Sequence, residues 1–249
     1  ASAIAMFIQL GIYWVMWARG SLILKPLLKG FAFDKVMSRR ILHIGYPASI
    51  EGIGFQVGIL SFMALMSSFG TAEFTAYQIG VQILALSFLA GNGFSIAAST
   101  LVGQHLGAGS PETAARFGWG SLLFSMVMMG ALGAGLIAMA PVLASWFIDD
   151  ANVIALTVDF IWILGLAQPL MAIEFVMGGA LRGAGDTRFP VIAIFTGLFV
   201  FRVLPATIIV YYFDGSIQWV WSVLLLDYLV KGLLLTERFR RGYWQTIQV

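Results

Sequence analysis

Cysteine is absent from this sequence, and histidine occurs only at His43 and His105. The absence of cysteine excludes a disulfide scaffold and a thiolate metal site. Two separated histidines are too few for a metal cluster, and the chain contains no HExxH motif of a metalloprotease. An intramembrane enzyme needs a nucleophile–base pair or a metal constellation, which these residues do not supply. We therefore expect neither an enzyme nor a resident cofactor.

Charged residues are also scarce, at 10% of the 249 residues, whereas 60% are hydrophobic. A soluble domain carries about 25% charged residues, so this composition predicts a membrane protein surrounded by a lipid bilayer. The few basic residues lie near the ends of apolar runs, which argues against a nucleic-acid surface.

Long apolar runs bounded by charged or turn residues predict an all-α fold, a polytopic bundle of transmembrane helices. The first run is short and the other six are longer, with Pro169 expected to kink the fifth. The seven predicted spans cover residues 1–18, 45–69, 73–105, 113–147, 152–181, 189–213 and 216–237.

Lysine and arginine fall in alternate connections between these spans. The positive-inside rule places such connections, and the basic tail at 238–249, in the cytoplasm. We thus predict a multi-pass protein of the inner (plasma) membrane with a cytoplasmic C-terminus. The remaining divisions are a leading helix at 1–18, a basic connector at 19–44 that reads as an interfacial amphipathic helix, and a six-helix unit at 45–237.

Four sequence motifs occur together in a fixed order. They are GYPA at 45–48, AASTLVGQ at 97–104 followed by GAG at 107–109, GALRG at 179–183 followed by Asp186-Thr187 and Pro190, and RFR at 238–240 followed by Gly242 and Trp244. As a set they resemble the later helices of multidrug and toxic compound extrusion (MATE) antiporters. The resemblance implies one lobe of a transporter about twice as long, in which residues 1–18 would correspond to the family's sixth helix. It also implies a partner, either the N-terminal lobe or a second copy.

Two of the acidic side chains within apolar runs, Glu51 and Glu174, are candidates for ion coupling. A helix rises about 1.5 Å per residue. Glu51 therefore lies roughly 9 Å, and Glu174 roughly 10 Å, from the cytoplasmic end of its own predicted helix. Neither has an obvious basic partner at its depth, and a carboxylate inserted in lipid costs about 2.5–3.5 kcal/mol. We therefore predict that both couple transport to H⁺ or Na⁺ as acids without a basic partner. A structure in which each is paired with a lysine or arginine would end this hypothesis.

The sodium-binding branch of the MATE family departs from this sequence at both positions. Its tenth-helix acid corresponds to Met171, with Glu174 three residues further on the same helical face. Its seventh-helix acid falls near Phe55 or Gln56, and not at Glu51. Proton coupling is therefore the preferred expectation, and protonated or hydrogen-bonded structural carboxyls are the alternative.

Amide and aromatic side chains on spans two and three are the predicted substrate contacts, because aromatic faces bind organic cations. They are Gln56, Tyr77, Gln78, Gln82 and Asn92. Arg202 and Asp227 lie at similar depth and are predicted to form a structural ion pair, which Lys231 is able to join.

These observations favour cation-coupled efflux of small amphipathic or cationic compounds, by two lobes that alternate access to a central cleft. One alternative is export of a lipid-linked precursor or metabolite, as by the flippases of the wider superfamily. Another is a half-length chain without transport activity, since one lobe alone has nothing to move against.

Overall fold

The computed structural model describes residues 2–20, 34–213 and 215–246. Its elements are helices α1 (Ser2–Ala18), α2 (Lys35–Met66), α3 (Thr71–Gly107), α4 (Pro111–Ser145), α5 (Ala151–Gly183), α6 (Arg188–Phe195), a π-helix (Thr196–Val203), α7 (Leu204–Tyr212), α8 (Ile217–Arg240) and a 3₁₀ turn (Tyr243–Thr246). Six segments are long and apolar enough to cross a membrane, and the shorter apolar stretch Met6–Trp17 precedes them. The predicted all-helical membrane fold is confirmed.

The start of the second span differs from the prediction. The apolar segment was expected from residue 45, whereas α2 begins at Lys35. Hydropathy marks where a helix meets apolar surroundings, and a helix that contains lysine and arginine continues readily beyond that point. The amphipathic helix predicted within 19–44 falls largely on residues 21–33, which lie outside the described residues.

The chain divides into two compact units, Ala1–His43 and Ile44–Val249. In the second unit, α5 contacts α3, α4 and α8 and carries the longest set of buried residues. Aromatic rings fill one part of its core: Tyr77 packs between Phe62 and Phe160, and Phe160 packs on Trp221. Helix α5, which holds Glu174 and the GALRG motif, is thus the central helix of this unit.

Glycines set the spacing between α3 and α5. A Cβ at Gly179 would overlap the Ser95 backbone, and one at Gly183 would overlap the Ser99 carbonyl. Small residues four apart let helices approach this closely. Helix α5 ends at Gly183, and Gly185 adopts a φ of 87° in the turn that follows. The turn is tied to α8 because Arg238 donates a 2.7 Å hydrogen bond to Asp186.

Candidate functional site

A cavity of about 390 Å³ lies among α2, α3, α5, α6 and α8 in the second unit. Four charged side chains line it, Glu51, Glu174, Arg182 and Lys231, and they carry two charges of each sign. Its apolar wall includes the rings of Phe55, Phe88 and Phe175, with Phe88 meeting Phe175 edge to face. The structure therefore brings both predicted acids to one cavity, together with two basic side chains.

Glu51 on α2 is paired with Arg182 on α5. The distance from Arg182 Nη2 to Glu51 Oε1 is 2.5 Å, and the side chains are 35% and 21% exposed. Gly178, one turn before Arg182, leaves room for the guanidinium to fold back along α5, since a Cβ there would lie 3.2 Å from Arg182 Nη1. The expectation that Glu51 lacks a basic partner is wrong. Arg182 lies near a helix end, and its long side chain reaches back toward the acid.

Glu174 is paired as well. Lys231 Nζ on α8 lies 2.9 Å from Glu174 Oε2 and 3.2 Å from Asp227. The expectation that Glu174 lacks a basic partner is therefore also wrong. Because both acids are paired with basic side chains, the hypothesis that they act as unpartnered buried carboxylates is wrong as well. Lys231 precedes residue 237, the end of the last predicted span, by six residues, or about 9 Å of helix, which is close to the depth of roughly 10 Å for Glu174. This similar depth below the same side of the membrane is the sequence signal that could have identified the pair.

Asp227 also contacts Arg202, and these are the two residues whose depth indicated an ion pair. Asp227 is completely buried, and the side chain of Arg202 is 5% exposed. Arg202 lies in the π-helix, and its guanidinium stands 5.2 Å from the centre of the Tyr228 ring. We call Glu174, Lys231, Asp227 and Arg202 the buried charge cluster. A π-helix within a span often marks a functional region.

Gly197 makes room for this cluster. It lies in the π-helix, and a Cβ at this position would overlap both Lys231 and Asp227. The π-helix and the missing side chain together let two basic and two acidic side chains meet between α5, α8 and the sixth span. Burial without such pairing would cost several kcal/mol for each ion.

Only one of the five predicted substrate residues lines the cavity. Asn92 does so, with its amide donating 2.8 Å to the Phe88 carbonyl. Tyr77 is 5% exposed and packs in the aromatic core, so its predicted position in a cleft is wrong. Gln56, Gln78 and Gln82 are not among the residues that line the cavity. Periodicity does not say which face of α2 or α3 is turned toward the charged residues.

Among the described residues, no three histidine, cysteine, aspartate or glutamate side chains are grouped so as to hold a metal ion. The acids of the cavity are instead distributed between two basic partners.

Comparison with known proteins gives a consistent result. The MatE family profile matches residues 47–208. The chain is 30% identical over 250 residues to a Thermotoga maritima protein named Probable multidrug resistance protein NorM, an alignment that covers 98% of this chain and 53% of that protein. A Mesorhizobium japonicum protein of the same name is 32% identical over 209 residues, an alignment that covers 81% of this chain and 44% of that protein.

A solved structure, described as a MATE in the bent conformation, superimposes with a TM-score of 0.79 at 16% identity. The match covers 94% of this chain and 52% of the solved one, and it shows the fold. The chain thus spans about half the length of the relatives that it matches.

Proposed function

Because this chain belongs to the MatE family, we propose that it is the C-terminal lobe of a multidrug efflux transporter that exports amphipathic or cationic compounds. The other lobe would come from an N-terminal half or from a second copy of the chain. Two lobes are needed because alternating access moves one repeat against the other around a central site.

The observation that carries this proposal is the cavity in which two acids meet aromatic rings. An organic cation interacts favourably with the faces of Phe55, Phe88 and Phe175 and with the carboxylates of Glu51 and Glu174. Both carboxylates are shared with basic side chains, so a bound cation would compete with Arg182 or Lys231. Competition of this kind links cargo binding to the ion pairs.

Coupling to H⁺, or alternatively to Na⁺, would act through the same competition. A proton on Glu174 removes the charge that holds Lys231, which would then be left with Asp227 as its acidic partner. Such a local change of charge biases an equilibrium between two helix arrangements when one of them depends on the pair. Because both acids are paired, the coupling proposed here differs from the one expected from the sequence: it acts through exchange of a basic partner, with Glu174 as the principal group and Glu51 as a second one.

Efflux by the Glu174→Gln variant tests this proposal. In the complete transporter, we expect the variant to be expressed normally and to lose gradient-driven efflux of a cationic dye from membrane vesicles. Glu174→Asp keeps the charge and should retain part of the activity. The control is Glu237→Gln, which alters an exposed carboxylate near the C-terminal end of α8 and should leave efflux unchanged. Normal efflux by Glu174→Gln would exclude Glu174 from the mechanism.

A second candidate function is export of an anionic, lipid-linked precursor. The observation in its favour is that Arg182 and Lys231 both line the cavity. Each is neutralised by a carboxylate, which is why we prefer the cationic cargo. Uptake assays that compare a cationic dye with a phosphorylated lipid precursor separate the two functions, because only the true cargo should be transported and should compete.

We also propose that the chain resides in the inner membrane with its C-terminus in the cytoplasm. These 249 residues contain no cysteine, so a thiol introduced here is the only one in this part of the protein. Gln245 is exposed in the 3₁₀ turn after α8. A Gln245→Cys variant should react with a membrane-impermeant maleimide only after the cells are opened; labelling of intact cells would reverse the orientation.

A further inference from the structure

A second hollow, of about 690 Å³, runs between α3 and α4 and shares no lining residue with the charged cavity. Its walls are mainly apolar and include the rings of Phe94, Phe117 and Phe124. Phe117 is 40% exposed and Phe124 is 60% exposed. We call this hollow the α3–α4 groove, and the function proposed above makes no use of it.

On α4, the residues that line the groove form a stripe next to the stripe of residues that pack inside the protein. Ala114, Gly118 and Leu122 are buried, whereas Phe117 and Phe124 on the neighbouring stripe are exposed. The groove is therefore on the outside of the three-helix packing of α3, α4 and α5. In a membrane-spanning helix pair, an outward apolar hollow of this kind contacts acyl chains.

Polar groups are concentrated at one end of the groove. Arg116 and Thr113 lie in the first turns of α4, and Phe124 lies eleven residues beyond Thr113, which is about 16 Å along the helix. A hydrocarbon core is about 30 Å thick, so this length corresponds to one leaflet. The charged end of the groove thus matches the position of a phospholipid headgroup, and the apolar wall matches the position of its acyl chains.

Arg116 differs from most other arginines of the second unit. Five arginines, namely Arg182, Arg202, Arg238, Arg240 and Arg241, contact a carboxylate. In the part of the chain that the structure describes, Arg116 is in no ion pair. The nearest acid in sequence is Glu112, which is exposed one turn earlier on α4. The guanidinium is thus available to an anion outside the protein.

The ring at the charged end is held in place from α3. His105 stacks on Phe117 with 4.5 Å between ring centres and an angle of 7° between the planes. The stack joins the end of α3 to the start of α4, so the groove wall does not depend on a ligand. Ser121 adds a hydroxyl further along the same helix.

From this arrangement we propose that the α3–α4 groove binds an anionic phospholipid, whose net negative headgroup is held by Arg116 and whose acyl chain lies along Phe94, Phe117 and Phe124. An arginine and an anionic headgroup are complementary in charge, and the rest of the groove lining is mainly apolar, as the acyl chain requires. Binding adds a lipid site to the transporter, separate from cargo export.

Native mass spectrometry of the detergent-purified protein tests the proposal with phosphatidylglycerol and phosphatidylcholine of identical acyl chains. We expect tighter binding of phosphatidylglycerol by about fivefold, the effect of one basic residue at an anionic surface. Arg116→Gln should remove this preference. Arg240→Gln, which alters an exposed arginine near the same end, should keep it.

A second pair of variants tests the apolar wall. Ala97→Phe fills the groove and should reduce binding of both lipids, whereas Ala134→Phe places the same ring on an exposed part of α4 outside it. Equal lipid binding by the wild type, Arg116→Gln and Ala97→Phe would overturn the proposal. Competition by millimolar inorganic phosphate would also overturn it, because the site would then bind a free anion. If adding the partner lobe displaced all bound lipid, the groove would be a protein–protein interface, and the proposal would be wrong.

Discussion

Two sets of ion pairs border the same cavity, and they differ in burial. In the buried charge cluster, Asp227 is 0% exposed and Lys231 is 2% exposed. In the pair at the edge of the cavity, Arg182 is 35% exposed and Glu51 is 21% exposed. Both sets consist of carboxylates in contact with basic side chains, so the two sets differ mainly in their exposure to solvent.

The difference indicates which pair is structural and which one responds to solvent. A buried pair is expensive to break because the remaining ion stays out of water. An exposed pair loses little, since water solvates whichever partner is left. Glu174, a member of the buried charge cluster, lies between these limits: its side chain is 16% exposed, contacts Lys231 and also lines the cavity. This intermediate position suits a group that binds and releases an ion.

The largest effect is expected for Asp227→Asn. The variant leaves Arg202 and Lys231 buried with only Glu174 as an acid, and it should lower the free energy of unfolding by about 3–5 kcal/mol. Unfolding of the purified protein in detergent micelles measures this loss. Glu237→Gln is the control, because it removes an exposed carboxylate from the same helix. A loss below about 1 kcal/mol would mean that the cluster is solvated, contrary to its burial.

A smaller loss is expected for Gly197→Ala. The added methyl group would overlap Lys231 and Asp227, and overpacking of this kind costs about 1–3 kcal/mol. Gly52 provides the matched site at the cavity edge, because a Cβ there meets no atom within 4 Å. Gly52→Ala should keep or slightly raise the midpoint of thermal unfolding. Equal midpoints for the two variants would show that the two regions are packed alike.

The smallest effect is expected for Glu51→Gln. Its partner Arg182 remains in contact with water, so the free energy of unfolding should change by at most about 1 kcal/mol. The measurement is the same unfolding experiment, repeated at low and high salt, where any difference should shrink. The double exchange Glu51→Arg with Arg182→Glu should restore the wild-type value. If Glu51→Gln lowered the free energy of unfolding as much as Asp227→Asn, the pair of Glu51 and Arg182 would also be structural.

The transmembrane architecture followed from the sequence because hydropathy and charge act along the chain. Runs such as 113–147 and 152–181 coincide closely with helices Pro111–Ser145 and Ala151–Gly183. The pairing of Arg202 with Asp227 could also be anticipated, since depth along a helix is arithmetic on residue numbers.

The partners of the two candidate acids required the tertiary structure. Depth is known from the sequence, but the rotation of each helix and the choice of its neighbour are not. Arg182 and Lys231 were therefore not assigned to Glu51 and Glu174, and Tyr77 was placed in a cleft although it lies in the aromatic core.

By itself, the sequence determined that the chain crosses a lipid bilayer as a helical bundle, because charge is scarce and the apolar runs have the length of transmembrane helices. Only the tertiary structure decided that Glu51 and Glu174 line one cavity and that each is paired there with a basic side chain. The reason is that α2, α5 and α8 meet through side chains far apart in sequence, and that the π-helix at Thr196–Val203 carries Arg202 into the cluster. Contacts of this kind depend on how helices are rotated against one another, which no local pattern encodes.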